Sequence, residues 1–436
     1  MNRFRMGMIV VIFSIGAGPT RAAITISNGA TRNLSCVAAQ CVPTASDAVL
    51  NVHDLEALLA TGDLSISTTG NGIEAGDVLV TANVKWPGGA TLAFVAHNSV
   101  SVRAAITARS GGGLSIATNN GGTGDLSFGA KGTINLNNVS SKFTLNGQAY
   151  ALAGDIGALA SLTAAKPDGH FALANDFSLT TAYSAAPLST DFKGTLEGLG
   201  HVIDNLEITS TDSYMGLFAV ISHRAVVRDL KLSGVNIYSS NPDNSYAGAL
   251  AGMSQGTIEH VQAEGMIGSN FWVTGGGIVG LSYGSIRQSF TNMYVWAGVN
   301  SELGGIAGNA HGPVTDCYAL GKVNGGDNAF IGGLIGYSLA NVRTSYATGL
   351  VEGGHDAVVG GFEGAQPAKR VSRSYWDITT SGTQKSGGEG DIPGVTGLTT
   401  EQLRSGLPKG LDPAIWAEDQ EVNGGLPYLI ANPPGK

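Results

Sequence analysis

The chain has 436 residues, of which 43% are hydrophobic, 13% are charged and 65 are glycine. A typical soluble domain has about 25% charged residues and roughly 7% glycine, so this composition suits β structure with many tight turns and disfavours a helical bundle. The net charge of −9 comes without a cluster of lysine or arginine, which argues against nucleic acid and anionic membranes as partners.

Residues 1–22 have the layout of a secretory signal peptide. A short basic stretch precedes an apolar run from Met6 to about Ile15, and small residues lead to a predicted cleavage site after Ala22. Because the apolar run is shorter than the ~20 residues that a membrane span needs, we expect no membrane span once the peptide is cleaved. The sequence therefore predicts a protein that is secreted or held at the cell surface, with the periplasm as the alternative location.

Residues 23–63 are predicted to cap the N-terminal end of the fold. Cys36 and Cys41 are close enough in sequence to form a disulfide in an exported chain. A short helix from about His53 to Ala60 would cover the open edge of the first coils, which would otherwise invite the addition of a strand from another chain.

Residues 64–150 contain short segments of alternating apolar and polar residues. Apolar positions recur at a constant step of 22 in the numbering, which predicts irregular coils of a β-solenoid. The positions that keep this step are Val78 and Val100, Val80 and Val102, and Leu92, Leu114 and Leu136. Residues 151–191 are predicted to connect these coils to the rest of the chain and to contain a short helix over about 155–165.

A second repeat, whose period is a constant step of 28 in the numbering, fills the segment 192–380. Its marker is a five-residue motif bounded by glycines, and the apolar column of Ile258, Ile286, Val314 and Val342 keeps the same step. The bounding glycines are Gly248, Gly252, Gly276, Gly280, Gly304, Gly308, Gly332, Gly336, Gly360 and Gly364. A period in the twenties with short apolar strands predicts a parallel β-helix, in which equivalent residues stack about 4.8 Å apart. The alternative, a leucine-rich horseshoe, fits less well because the repeats lack its leucine scaffold.

One copy of the motif contains a literal G-x-G-x-x-G at Gly275, Gly277 and Gly280, which is the pattern of dinucleotide-binding loops. Such a loop occurs once and opens a helix, whereas this motif recurs in every repeat between predicted strands. The sequence therefore predicts no nucleotide site, and the glycines are interpreted as turns between closely spaced coils.

Residues 381–436 are predicted to form a polar linker followed by a C-terminal cap. The stretch SGTQKSGGEGDIPGVTG is polar and rich in glycine. Thr399 and Gln402 stand at capping-box spacing, so a short helix is expected at that point.

Several segments resemble a known family. FKGTLEGLGHVIDNLEI (Phe192–Ile208) and repeats of the form GGLIGYSLANVRTSYATGLV resemble the GLUG repeats of bacterial surface and secreted proteins. SYWDITTSG, TTEQL and GLPYL look like the terminal part of filamentous haemagglutinin-like adhesins. The resemblance implies a right-handed parallel β-helix at or outside the cell surface, with adhesion as the commonest role. GLUG repeats also occur beside peptidase domains in immunoglobulin A-cleaving enzymes, but this sequence contains no His-Glu-x-x-His motif.

The eight histidines and three cysteines form no recognisable metal motif. No histidine has a second one four residues away, and no Cys-x-x-Cys occurs, so neither a metal nor another cofactor is predicted. Cys317 shares its repeat column with Val261, Ser289 and Ser345, which predicts a buried and inert thiol.

The main binding candidate is an aromatic column formed by Phe290, Tyr318, Tyr346 and, after a one-residue slip, Tyr375. If the rings face outward, they offer a stripe on which sugar rings can stack. If they face inward, they form a core stack. Alternation counted from the two flanking strands gives opposite directions for Tyr318, so the chain must bend near Asp316 and both orientations stay open.

Trp272, Tyr294 and Trp296 lie next to this column and would either extend a binding surface or cover the side of the solenoid. We therefore expect an exported, adhesin-like or surface-structural protein. Its expected partners are glycans or proteins of host or bacterial surfaces, which it would bind without catalysis.

The alternative function is a carbohydrate-active enzyme, a polysaccharide lyase or hydrolase, on the same scaffold. Such enzymes place acids and bases on one outer face, and a glycosidase needs two carboxyls roughly 5 to 10 Å apart. Two neighbouring repeat columns carry polar residues: Glu259, Arg287, Thr315 and Arg343 in one, and His260, Gln288, Asp316 and Thr344 in the other. A solvated ladder of turn residues explains the same pattern, since Glu259 and Asp316 stand in different columns.

Overall fold

The computed structural model describes residues 23–70, 72–119, 124–367 and 370–435, so the signal peptide predicted over residues 1–22 lies outside the described residues. Within them the chain is almost entirely β structure and winds into a parallel β-helix of about 12 turns. Short strands of each coil pair in parallel with their equivalents in the next coil, which confirms the predicted fold class.

Three parallel sheets build the coils of the N-terminal half. The first contains Ala23–Ser27, Asp47–Asn51, Asp77–Val80, Val100–Val102 and Leu126–Phe128. The second contains Gln40–Pro43, Leu64–Ser67, Thr91–Val95, Gly113–Ala117 and Phe143–Leu145, and the third contains Val84–Trp86, Ile106–Ala108 and Ile134–Leu136. Two antiparallel pairs accompany them: Leu34–Val37 with Gln40–Pro43, and Thr69–Gly70 with Ile73–Glu74. A disulfide joins Cys36 to Cys41 across the first of these pairs.

The repeat with a constant step of 22 that the sequence predicts for the N-terminal half holds for only some of its coils. Leu92 pairs with Leu114 as expected, but Leu114 pairs next with Phe143, whereas Leu136 lies in the third sheet beside Ala108. The assignment of Leu136 to this column is therefore wrong. Alternation along a strand repeats every two residues, so residues inserted between strands lengthen a coil without disturbing the apolar pattern.

An antiparallel turn marks the passage between the two halves. Gln148–Ala153 runs antiparallel to Phe143–Leu145 and then pairs in parallel with His170–Leu173. His170–Leu173 pairs in turn with Thr195–Glu197, so the predicted connecting segment is itself part of the stack. Buried apolar residues of the two halves form two separate clusters that meet at this point.

The helices of the described residues are short: Val52–Leu59, Ile156–Ala165, Thr400–Leu403 and the 3-10 turn Asn423–Gly425. Each of the three α-helices begins at a capped residue. Asn51 accepts a hydrogen bond from the first turn of its helix, and Asp155 does the same in the second. Thr399 and Gln402 form the predicted capping box. All three α-helices thus lie where the sequence predicts them, because each has a local capping signal.

Three sheets run through the C-terminal half. We call the largest the long sheet; its strands are Phe177–Ser178, Thr195–Glu197, Val202–Asp204, Glu207–Ser210, Val226–Ser239, Thr257–Ser269, Ser285–Arg287, Phe290–Ala297, Val314–Thr315, Tyr318–Ala319, Val323–Gly325, Val342–Arg343, Tyr346–Ala347, Val351–Gly353, Val371–Ser372, Ser374–Asp377 and Val395–Leu398. The first glycine sheet contains Tyr214–Met215, Ser245–Gly248, Val273–Gly276, Glu302–Gly304, Phe330–Gly332 and Val358–Gly360. The second glycine sheet contains Phe218–Ile221, Ala251–Ser254, Val279–Ser282, Ala307–Ala310, Ile335–Ser338 and Glu363–Ala365.

The repeat glycines lie where the two glycine sheets meet. A Cβ atom on Gly276 would lie 2.2 Å from the carbonyl oxygen of Val279 and 2.4 Å from the Cα of Ala307. One on Gly280 would lie 2.6 Å from the backbone nitrogen of Ala247. All ten repeat glycines have backbone neighbours closer than 3.0 Å to such an atom, so backbone contact between the sheets excludes every larger residue. After the G-x-G-x-x-G copy the chain continues as a strand, as the repeat interpretation requires.

The predicted polar linker forms a further coil. Val395–Leu398 pairs in parallel with Ser374–Asp377, and the backbone N–H of Phe362 donates to the carbonyl of Ser386 at 2.9 Å. The stacking thus continues to residue 398, because backbone pairing holds this coil although glycine and serine replace most of its apolar residues. Residues 399–435, which we call the C-terminal segment, then turn back along the long sheet and include the antiparallel pair Trp416–Ala417 and Tyr428–Leu429.

Candidate functional site

The aromatic column lies on the outer face of the long sheet. Cys317 and Ala319 belong to the main core, so Tyr318 between them points to the other side. The bend expected near Asp316 is present, because this residue has a left-handed φ of 53°. Phe290, Tyr318 and Tyr346 stack with centroid distances of 4.5 and 5.0 Å, and each pair is within 2° of parallel.

The C-terminal segment covers this column. Trp416 lies 5.9 Å from the rings of both Tyr318 and Tyr346, and the Tyr346 hydroxyl donates to the carbonyl of Pro427 at 2.6 Å. The Tyr375 hydroxyl donates to the carbonyl of Lys409. The exposed fractions of the four ring residues range from 0% to 7%. The column therefore matches neither predicted alternative: it faces outward, but it forms a second small core instead of a solvent-exposed stripe.

Tyr375 also borders an open cleft of about 530 Å³ between the last coil and the C-terminal segment. Its other walls include Leu398, Leu407 and Lys409. Tyr375 is therefore the member of the aromatic column that borders open space, and its exposed fraction of 7% is the largest of the four.

The polar columns are tied into internal contacts. Arg287 donates to both oxygens of Glu259 at 2.7 and 2.8 Å, and the indole N–H of Trp416 donates to Asp316 at 3.0 Å. Both carboxylates are buried. Each of the two residues considered for catalysis therefore has its own structural partner, and the structure does not bring them together as an acid and base pair.

The second polar column is a series of bends. Its members all have left-handed φ values between 45° and 56° and are Asp229, His260, Gln288, Asp316, Thr344 and Arg373. His260 Nδ1 lies 3.0 Å from an Asp229 oxygen, and His260 Nε2 lies 3.2 Å from Gln288 Oε1. Burial by itself would lower the pKa of His260, but the Asp229 carboxylate raises it above its ordinary value. The column thus stabilises successive turns by hydrogen bonding between coils.

A buried ion cluster that the sequence does not predict joins the two halves. Arg228 forms a bidentate pair with Asp125 at 3.0 and 3.1 Å and contacts Glu197 at 2.6 Å. Burial raises the pKa of Glu197, and the Arg228 guanidinium opposes that shift. Asp125 and Arg228 are 103 residues apart, and no local motif links them. The cluster therefore ties an N-terminal coil to a C-terminal one.

A group of exposed and half-buried aromatic and apolar side chains lies farther along the long sheet, beside the loop that leads to the first glycine sheet. We call it the aromatic platform, and its members are Tyr238, Met266, Phe271, Trp272, Tyr294 and Trp296. The exposed fractions are 44% for Trp272, 42% for Met266 and 39% for Phe271.

Glycine shapes the centre of the platform. Tyr238, Gly268 and Trp296 are equivalent residues of three successive coils. A Cβ atom on Gly268 would lie 2.3 Å from the indole of Trp296, so the indole lies over the bare backbone and comes within 6.2 Å of the Tyr238 ring. Asn270 Nδ2 donates to the Tyr238 hydroxyl at 3.0 Å and fixes its orientation.

The sequence predicts only part of this platform. It offers Trp272 and Trp296 as binding residues, but as an extension of the aromatic column. It misses Tyr238 because the step from Tyr238 to its equivalent Gly268 is two positions longer than the regular repeat. Met266 keeps the regular step to Tyr294, but it has no aromatic ring and so does not belong to an aromatic pattern. Phe290 of the aromatic column begins the strand Phe290–Ala297, whereas Tyr294 and Trp296 of the platform lie toward its end. The platform is therefore a neighbouring surface of the long sheet and not part of the column that was expected to bind.

No protein-family model matches the chain. A stretch of 174 residues, 39% of this chain, is 26% identical to Halomucin of Haloquadratum walsbyi, and the match spans 2% of the length of Halomucin. Among solved structures, a Bacteroides ovatus protein provisionally named an immunoglobulin A1 protease is 18% identical with a TM-score of 0.47, over 64% of this chain and 92% of that chain. No helix among the described residues is long and apolar enough to cross a membrane.

Proposed function

We propose that this protein is an exported, adhesin-like β-helix that binds glycans through the aromatic platform. The observation that carries the proposal is the exposed indole of Trp272 on the same surface as the half-buried rings of Trp296 and Tyr238. Flat aromatic rings present an apolar face that packs against the C–H face of a sugar ring, and the tyrosine hydroxyl supplies a polar group at the edge. Contiguous exposed apolar side chains of this kind mark interaction sites on soluble proteins.

The β-helix fold supports the proposal that the protein is exported. A β-solenoid built from repeats and the match to Halomucin fit a secreted repeat protein. We place the chain with the GLUG-repeat, filamentous haemagglutinin-like proteins on the residues quoted above. In such a protein the solenoid serves as a rigid rod that presents the platform.

The partners of the two candidate catalytic carboxylates favour binding without turnover over catalysis. Glu259 is paired with Arg287, and Asp316 accepts from Trp416. Beside the platform, Lys322 and Glu352 form an ion pair 2.6 Å apart, and Lys322 also lies 5.9 Å from the centre of the Tyr294 ring. This cation and its neighbouring ring suit recognition of a sugar more than cleavage of one.

The test is a glycan array followed by calorimetric titration of the glycans that bind. Trp296→Ala and Trp272→Ala should each weaken binding at least tenfold, which corresponds to about 1.4 kcal/mol. Val139→Ala is a matched control, because Val139 is an exposed apolar residue of the N-terminal half; it should bind like the wild type. Equal binding by all variants would refute the platform.

The enzymatic alternative has its own assay. Purified protein is incubated with plant and bacterial polysaccharides, and new reducing ends or unsaturated products are measured. We expect neither. Robust turnover that is abolished by Glu259→Gln or Asp316→Asn would replace binding with catalysis as the function.

A further inference from the structure

A second site lies on the outer side of the two glycine sheets. One column of the first glycine sheet contains Tyr214, Tyr246, Thr274, Glu302 and Phe330, each paired with the next. The column continues beyond Phe330 to Val358. Within it, the rings of Tyr246 and Phe330 flank Thr274 and Glu302, whose side chains are polar. Tyr246 and Phe330 are three strand spacings apart, roughly 14 Å, so the two coils between them form a notch.

The second glycine sheet provides the other wall of the notch. Asn309 Nδ2 donates to Glu302 Oε2 at 2.8 Å, and the rings of Phe330 and Tyr337 meet edge to face at 5.8 Å. At the opposite end, Tyr246 stacks on Tyr214 at 5.3 Å, with the rings within 15° of parallel. The walls are therefore held by ring contacts, and the Glu302 and Asn309 pair lies between them.

Glu302 differs from Glu197 and Glu259 because it has no cationic partner. Glu197 and Glu259 contact arginine, whereas among the described residues no basic side chain lies within 4.0 Å of the Glu302 carboxylate. Burial raises the pKa of Glu302, although hydrogen bonds from Asn309 and Thr274 offset part of that shift. A half-buried carboxylate without a counter-ion is a favourable place for a cation.

Asn309 positions the Glu302 carboxylate. Its Oδ1 atom is buried and accepts no hydrogen bond from the described residues, and its Nδ2 atom is occupied by Glu302. Buried amide oxygens are normally satisfied. Because this Oδ1 atom is buried, the Glu302 carboxylate is the acceptor that a ligand between the aromatic walls can reach.

We propose that this notch binds the protonated amine of an amino sugar. The ammonium group would donate to Glu302, and the pyranose ring would pack against Tyr246 or Phe330. Aromatic faces attract cations as well as sugar rings, and the net charge of −9 attracts a cationic polysaccharide over a longer range. A lysine side chain would offer the same ammonium without a ring to fill the space between the walls, so the amino sugar is the better fit.

The site is separate from the aromatic platform, because its residues belong to the glycine sheets and not to the long sheet. It follows the regular repeat, since each member from Tyr246 onward stands two positions before the first glycine of a motif. The proposal therefore does not depend on glycan binding at the platform.

The test is calorimetric titration with a glucosamine oligomer and with its N-acetylated counterpart of the same length, at pH 6 and low salt. Wild-type protein should bind the glucosamine oligomer at least tenfold more tightly than the N-acetylated one. Glu302→Gln should lose at least tenfold in affinity for the glucosamine oligomer. Glu401→Gln, which removes an exposed carboxylate from the helix Thr400–Leu403, should bind like the wild type.

Two further measurements keep the proposal open to refutation. If Glu302→Gln does not fold, Phe330→Leu replaces it, and this loss of one wall should weaken binding at least threefold. An oligolysine of equal charge should bind at least tenfold more weakly than the glucosamine oligomer. Equal binding of the two oligomers, unchanged affinity in the variants, or stronger binding of oligolysine would each overturn the assignment.

Discussion

Replacing Glu363 by glutamine should stabilise the protein in a pH-dependent way. Glu363 occupies the column position held by Val279, Ala307 and Ile335 in the preceding coils. Its exposed fraction is 0%, and burial raises the pKa of its carboxyl from 4.5 to about 8, with the Ser338 hydroxyl opposing part of the change. The side chain is therefore a neutral acid in the folded protein at neutral pH.

The magnitude follows from proton linkage. A group whose folded pKa is raised contributes its full stability below the unfolded pKa and loses it as pH rises through the folded pKa. Between pH 4.5 and about 8 the folded chain keeps this proton while the unfolded chain releases it. Each pH unit in that window removes about 1.4 kcal/mol from the free energy of unfolding, so the whole window removes about 4 to 5 kcal/mol. Glutamine has no proton to release and avoids this loss.

The assay is urea unfolding of the wild type and Glu363→Gln at pH 5 and pH 8.5. The two proteins should have similar unfolding free energies at pH 5, and the variant should be more stable by several kcal/mol at pH 8.5. Glu352→Gln serves as a control in which an exposed carboxyl is removed, and its difference from the wild type should change little with pH. A constant difference between wild type and Glu363→Gln at both pH values would refute the burial of a neutral acid.

Three further predictions concern the stack and its cover. Ile306→Asp should unfold the neighbouring coils, because the change loses about 1.5 to 3 kcal/mol of apolar burial and adds an unpaired buried charge; circular dichroism would detect this, and Ile306→Val should remain folded. Trp416→Ala should lower the free energy of unfolding by about 3 to 5 kcal/mol in urea unfolding, because Trp416 covers the aromatic column; an unchanged value would show that the cover contributes little. Cys317 should react slowly with a thiol reagent in native protein, since burial raises its pKa to about 12; rapid labelling would contradict its buried position.

The sequence is most informative where every coil repeats the same constraint. Ile258, Ile286, Val314 and Val342 stack in the predicted register, because an interior position that points inward in one coil must be apolar in all of them. The repeat glycines are predictable for the same reason. The sequence does not show why glycine is required at these positions, because a turn with positive φ would also require it. The structure shows that the reason is backbone contact between the two glycine sheets.

Contacts between distant segments are not predictable from the repeat. The aromatic column faces outward because of the bend at Asp316, and nothing in one coil indicates that Trp416, 100 residues later, covers it. The sequence does not predict the coil over residues 381–398, because this coil lacks the apolar columns of the repeat and is held by backbone pairing. Tyr238 of the platform is missed because the step to its equivalent Gly268 is two positions longer than the regular repeat. The notch, in contrast, is visible in the sequence as a column two positions before each motif.

The most direct test of glycan binding at the platform is oxidative footprinting of the five tryptophans with and without a glycan identified on the array. In the free protein, Trp272 should react readily, whereas Trp86 and Trp416, each 1% exposed, should not. Bound glycan should protect Trp272 and Trp296 at least severalfold and leave the buried pair unchanged. A glycan that binds tightly while both platform tryptophans react as before would contradict the proposed function.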